Sequence, residues 1–201
     1  MNESIKAVHL AHTDGELSDV SAFGSGATAR AVTFHRSLPV YEPTPLADLK
    51  CLAAGLGLGR IAVKDESKRF GLNAFKGLGT SYSVARYLAQ YLDLPESEMT
   101  YETLQKPEYR ERLRGVTLVT ATDGNHGRGI AWAAKLFGLF AHVFMPKGSS
   151  PERLANIRGL GAEAAFTNYN YDDAVRYAAQ MAKEKGWVLI QDTAFEGYTE
   201  I

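Results

Sequence analysis

Apolar residues recur at two different spacings along this chain, and their alternation predicts its architecture. After Lys76, the residues Tyr82, Val84, Ala85, Leu88 and Leu92 fall at helical spacing, as one buried face of a 3.6-residue period requires. From position 116 the pattern becomes regular. Val116-Thr117-Leu118-Val119-Thr120 reads as a strand, Gly129 to Phe137 as a helix and Ala141 to Met145 as a second strand. Ser150-Pro151-Glu152 opens the next helix with a cap, a first-turn proline and a first-turn acid. Ala164-Ala165-Phe166-Thr167 is a third strand. Asn170, with Asp173 three residues on, caps a helix whose apolar stripe is Ala174, Tyr177, Ala178 and Met181. Gly186 stops that helix, and Trp187 to Ile190 forms a fourth strand. Strands separated by helices predict an α/β fold, with a parallel sheet, flanking helices and right-handed crossovers.

Upstream the signals are weaker. Met1 to Arg30 shows little periodicity and many Gly, Ser, Asp and Thr residues, and reads as a poorly specified leader. Pro39, Pro43 and Pro45 mark an extended segment. Ala47 to Leu56 is predicted helical. Gly55-Leu56-Gly57-Leu58-Gly59 has the look of a dinucleotide loop, but it precedes a strand, Arg60 to Lys64, so the glycines read as helix termination. Glu96 to Arg114 is a charged, surface-type helical region containing Pro107.

Composition changes this picture little. The 201 residues can bury a real core in one or two domains, with 45% hydrophobic and 22% charged residues. A formal net charge of -1 leaves no electrostatic footprint for nucleic acid or an anionic membrane. The single cysteine, Cys51, cannot form an intrachain disulfide, which points to a reducing compartment. Its place between Leu49 and Leu52 predicts a buried small hydrophobe, not a nucleophile. Met1 to Leu10 lacks the features of a signal peptide, and no apolar run is long enough to span a bilayer. The expectation is a soluble, cytoplasmic protein.

Candidate chemistry enters with Lys64-Asp65-Glu66-Ser67-Lys68-Arg69-Phe70-Gly71-Leu72-Asn73-Ala74-Phe75-Lys76-Gly77. It carries a lysine from a strand and a turn-rich loop to the first turn of a helix. A cation there opposes the helix dipole. A neutral amine avoids that cost, and a neutral amine condenses with a carbonyl. Lys76 is therefore a candidate Schiff-base lysine. Ligands of parallel sheets sit beyond the carboxyl ends of the strands, which singles out two loops, Ala121 to Gly127 and Gln191 to Tyr198. In Thr122-Asp123-Gly124-Asn125-His126-Gly127, two glycines permit close approach of a ligand, and helix-entrance amides favour a carboxylate.

These segments together resemble the fold-type II family of pyridoxal-phosphate enzymes, and within it the ammonia-lyase branch acting on 2,3-diaminopropionate. Lys64 to Lys76, Thr122 to Gly129 and Gln191 to Tyr198 carry the resemblance, in the order the family has them, and it runs from about Phe34 to Ile201. The acid at Asp123 stands where the general dehydratases carry a small residue. The resemblance implies that Lys76 holds pyridoxal 5'-phosphate as a Schiff base, with Phe75 and Asn125 also at the cofactor and Asn125 against its ring hydroxyl. It implies α,β-elimination of diaminopropionate to pyruvate and ammonia, with Asp123 the base for the D isomer and Asp192 for the L. Thr122, Gly124, Asn125 and His126 form the candidate substrate loop.

Each residue also has a plainer reading. Lys76 could be a solvated helix-start lysine, Asp123 a turn residue or cap, and Asp192 a cap of the following turn. His126 reads as a packing or hydrogen-bonding residue, since no metal-ligand spacing accompanies it. Glu196 and Tyr198 read as shaping their loop.

The resemblance divides the chain into three parts. Residues 1–79 are the first part of a large cofactor domain, 80–192 a small α/β domain with the four-stranded sheet, and 193–201 the start of a return to the large domain. No glycine-rich phosphate loop or pyridine-nitrogen partner is found, so the sequence reads as the amino-terminal half of a lyase, inactive alone and a homodimer when complete. A serine or threonine dehydratase and an inactive truncated module are the competing readings.

Overall fold

The structure is a computed structural model that describes residues 24–193 and Tyr198. The leader up to Phe23, and Glu196, lie outside the described residues. The first helix, α1 (Ser25–Ser37), falls partly inside the segment expected to be leader. It buries Phe34 alone, so it has no apolar stripe for periodicity to detect. The strand β1 (Leu46–Asp48), the helix α2 (Lys50–Gly55) and the strand β2 (Ala62–Lys64) follow. The predicted helix over Ala47 to Leu56 is thus a short strand followed by a helix of six residues. Both strands are exposed throughout, and they pair antiparallel with Leu46 opposite Lys64. With neither face buried, no alternation marks them in the sequence. Cys51 is exposed, contrary to expectation, because α2 buries Ala53 alone.

One buried guanidinium secures this region. Arg69 donates from Nε to Glu66 Oε2 at 2.6 Å and from Nη2 to Glu66 Oε1 at 2.9 Å. Nη1 also donates to the Glu42 carbonyl at 2.7 Å and Nη2 to Thr44 Oγ1 at 2.8 Å. The planar fork therefore ties the proline-bearing segment to the loop ahead of Lys76, as a bidentate pair does well. That loop contains Phe70 at φ 51°, Gly71 at φ 70° and Asn73 at φ 51°. Left-handed backbone at a phenylalanine is strained. Its ring is held by stacking on Trp132, with centroids 4.5 Å apart.

The remaining chain builds the sheet. The helices α3 (Lys76–Tyr91), α4 (Tyr101–Leu104) and α5 (Pro107–Arg112) precede β3 (Thr117–Ala121) and α6 (Asn125–Phe137). Then come β4 (Phe140–Met145), α7 (Pro151–Arg158), β5 (Glu163–Phe166), α8 (Tyr171–Lys185) and β6 (Val188–Leu189). The sheet order is β5-β4-β3-β6, and every pairing is parallel. Leu118, Val143 and Met145 share one core with Ile130 and Phe137 of α6 and Ile157 of α7. Val119 and Ala121 pack on the other side against Ala174, Val175 and Ala178 of α8. Helices thus cover both faces, which is why β3 is buried from Leu118 to Ala121. Asn170 accepts from the Asp173 amide at 2.9 Å and caps α8, and Gly186 ends it in a left-handed turn.

The Glu66–Arg69 contact gives the fold an acid-sensitive joint. The hydrogen bond from Arg69, reinforced by Thr44, holds the Glu66 carboxyl down from 4.5 to about 2 against the opposing effect of burial. A depressed carboxyl stabilises the folded state above its unfolded value, and that contribution disappears as pH falls from 4.5 toward 2. Glu66→Gln should cost about 2 kcal/mol at pH 7, for a carboxylate still partly open to solvent. It should also flatten the loss of stability below pH 4.5, read by urea denaturation across pH.

Candidate active site

The loop from Arg69 to Phe75 delivers Lys76 to the first position of α3. Thr80, one turn on, donates its hydroxyl to the Lys76 carbonyl at 3.0 Å. The amine of Lys76 reaches across the molecule and donates to Oδ2 of Asp192, which lies just past β6. The sequence favoured a neutral amine at this helix start; the structure instead gives the amine a carboxylate partner. Their contact borders a cavity of about 250 Å³, whose walls include Phe75, Thr80, Ser83, His126 and Gln191. That is near the lower bound for pockets that hold small molecules, roughly 300 Å³.

His126 lies beneath the pair. Its Nε2 meets the Ile190 carbonyl at 2.9 Å, and a carbonyl only accepts, so Nε2 carries the proton. Nδ1 faces Asp192 Oδ2 at 3.8 Å. Burial lowers the imidazole pKa below its usual value, outweighing the Ile190 hydrogen bond and the Asp192 charge, so the ring is neutral at neutral pH. Burial works to raise the Asp192 carboxyl. The hydrogen bond and the charge of Lys76 oppose it, the carboxyl lies below its usual value, and the group stays ionised at neutral pH.

Asp123 stands apart from this cavity lining. It is exposed on the loop between β3 and α6, and Arg153 of α7 donates to its carbonyl at 3.0 Å and to its carboxylate at 3.3 Å. Thr122 is buried, and its hydroxyl accepts from the amides of Gly124 at 3.0 Å and Gly127 at 3.4 Å. It therefore takes up two amides of the turn that sequence reading had assigned to an anion. Asn125 is exposed at the first position of α6. Phe75 is 62% exposed at the cavity.

Gly127 serves packing in place of ligand approach. A Cβ there would lie 2.4 Å from Thr122 Cγ2 and 2.9 Å from Val143 Cγ1. At Gly129 it would lie 2.6 Å from Thr80 Oγ1, so this glycine lets α6 close on α3. Two cavity residues escaped sequence reading. Thr80 and Ser83 carry no motif, and only their helical spacing from Lys76 could have placed them on its side of α3. Gln191 lay within a singled-out loop but drew no role.

At the carboxyl edge of the parallel sheet, a helix-start lysine is paired to a carboxylate beside a cavity. The profile of the pyridoxal-phosphate dependent enzymes matches residues 38–201, and the chain belongs to that family. It is 57% identical to the diaminopropionate ammonia-lyase of Salmonella typhimurium over 170 residues, 85% of this chain and 42% of the relative. It is 47% identical to the enzyme of that name from Escherichia coli over 188 residues, 94% of this chain and 46% of the relative. The chain thus spans a little under half the length of these relatives. The crystal structure of the Escherichia coli enzyme in complex with D-serine superposes with a TM-score of 0.82, covering 88% of this chain and 44% of that one. The fold is that of the fold-type II pyridoxal-phosphate enzymes.

The residues present suit that cofactor: a primary amine faces a cavity, beside an exposed aromatic ring and an ionised carboxylate. The crowded turn beside them should tolerate no added methyl. Gly127→Ala should destabilise the protein by about 1–3 kcal/mol through overpacking, seen as a lower urea midpoint at unchanged slope.

Proposed function

We propose that the complete protein catalyses the pyridoxal-phosphate-dependent α,β-elimination of 2,3-diaminopropionate, consuming one water and giving pyruvate and two ammonia. The observation that carries this reading is the Lys76–Asp192 pair at the cavity, in a chain 47–57% identical to enzymes named for that reaction. The cofactor, when bound, supplies an electron sink for the pair left by the departing α-proton. Lys76 holds it through its amine, and Phe75 and Asn125 flank it. Asp192, ionised and within reach of Lys76, takes the α-proton of the L isomer. Asp123, on the loop after a different strand, takes that of the D isomer once Arg153 yields its carboxylate. Thr122, Gly124, Asn125 and His126 shape the substrate side. His126, neutral and fixed by Ile190, leaves Asp192 the sole anion among the described residues of that wall. Two carboxylates on separate loops permit both enantiomers to react, which one fixed base does not.

The same reading makes residues 1–79 the opening of the cofactor domain, 80–192 the small domain and 193–201 the return. It also makes the complete enzyme a cytoplasmic homodimer. Among the described residues no helix is long and apolar enough to cross a membrane.

In the complete enzyme, Asp192→Asn should lower turnover of the L isomer by about a hundredfold to ten-thousandfold and spare the D isomer. Asp123→Asn should do the reverse. Steady-state ammonia release from each enantiomer decides it, and equal loss of both activities in both variants contradicts the two-base assignment.

A further inference from the structure

The end of β6 departs from the ladder that its pairing with β3 begins. Leu189 sits opposite Val119, and the Ile190 amide donates to the Val119 carbonyl at 3.0 Å, as a parallel ladder requires. The next rung of such a ladder would run from the Ala121 amide to the Ile190 carbonyl. Here the Ala121 amide goes instead to Oε1 of Gln191, at 3.2 Å. Nε2 of Gln191 donates back to the Ala121 carbonyl at 2.9 Å, and Thr120 donates its hydroxyl to Oε1 at 3.0 Å. A side-chain amide has taken the place of a strand peptide group. The released Ile190 carbonyl accepts from His126. The main-chain amide of Gln191 donates to the Tyr198 hydroxyl at 2.9 Å. The next residue, Asp192, turns out of the sheet to Lys76.

The geometry points to Gln191 as a positioning residue, whose side-chain amide replaces one rung of the β3–β6 ladder and so aims the Asp192 carboxylate at Lys76. This rests on the reading of Lys76 and Asp192 as the reacting pair. The residue type is specific. Gln191 is 8% exposed, and its two amide atoms match the donor and acceptor of Ala121. Glutamate would lose the donor to the Ala121 carbonyl and put a second anion next to Asp192. An apolar residue would leave the Ala121 groups unpaired, inviting Ile190 back into the ladder and drawing Asp192 with it. Asp123 hangs from the β3 side and is held by Arg153, so it does not share this dependence.

Competitive acetylation of the complete enzyme, stripped of cofactor and read by peptide mass mapping, tests the proposal. Asp192 shields Lys76 by pairing, so Asp192→Asn calibrates the rise in Lys76 labelling when the pair is lost. Gln191→Met, of similar volume, should raise Lys76 labelling about tenfold and Thr120→Val about threefold, the scale set by three lost hydrogen bonds against one. Lys135 and Lys185 should label as before. In the reloaded enzyme Gln191→Met should lower kcat on the L isomer and leave the D isomer alone, a split that general loosening does not produce. If Gln191→Met fails to fold, Thr120→Val carries the test. A rise in Asp192→Asn without one in the Gln191 and Thr120 variants overturns the positioning role and leaves the pair intact. No rise in Asp192→Asn overturns the pair itself, and the positioning role with it.

Discussion

The contact between Lys76 and Asp192 joins residues 116 positions apart, and the rest of the site is arranged around it. Each partner is set by its own anchor. On one side, the Arg69–Glu66 fork and the stacked Phe70 fix the loop that brings Lys76 to the start of α3. On the other, the contacts of Gln191, His126 and Tyr198 pin the chain as it leaves β6, and Asp192 is what they leave pointing at the amine. The two anchors lie in different parts of the chain, and α3 packed on α6 holds them in register through the close approach at Gly129. A shift in either would separate the charges.

Electrostatics follow from that arrangement. An ionised carboxylate beside an amine needs a wall that adds no competing charge. His126 supplies it by staying neutral, because it is buried and spends its only proton on the Ile190 carbonyl. It works by holding the main chain and by filling the space under Asp192. On the other loop, Asp123 pairs with Arg153.

The small sheet was legible in the sequence because its strands are buried on one or both faces and its helices carry stripes and caps. Asn170, Gly186 and Pro151 mark ends that the structure keeps to within a residue or two. The amino-terminal elements were not legible. Neither strand of the β1–β2 hairpin buries a residue, and α1 buries one, so hydrophobic periodicity had nothing to report there. Cys51 misled for the same reason, since leucines flank it on a helix that turns little of itself inward. Helix electrostatics singled out Lys76 as a candidate, but not the carboxylate it meets across the fold. Asp192 came only with the family resemblance, because nothing local distinguishes an acid that meets its partner across the fold. Gln191 acts through hydrogen bonds to main chain 70 residues away, which no spacing encodes.

On the proposed reading, Lys76 is the residue that carries the cofactor. Borohydride reduction of the complete, cofactor-loaded protein, followed by peptide mapping, tests it most directly. The account predicts a stable pyridoxyl label on the peptide containing Lys76, lost in Lys76→Ala. A label on any other lysine, with Lys76 unmodified, would contradict it.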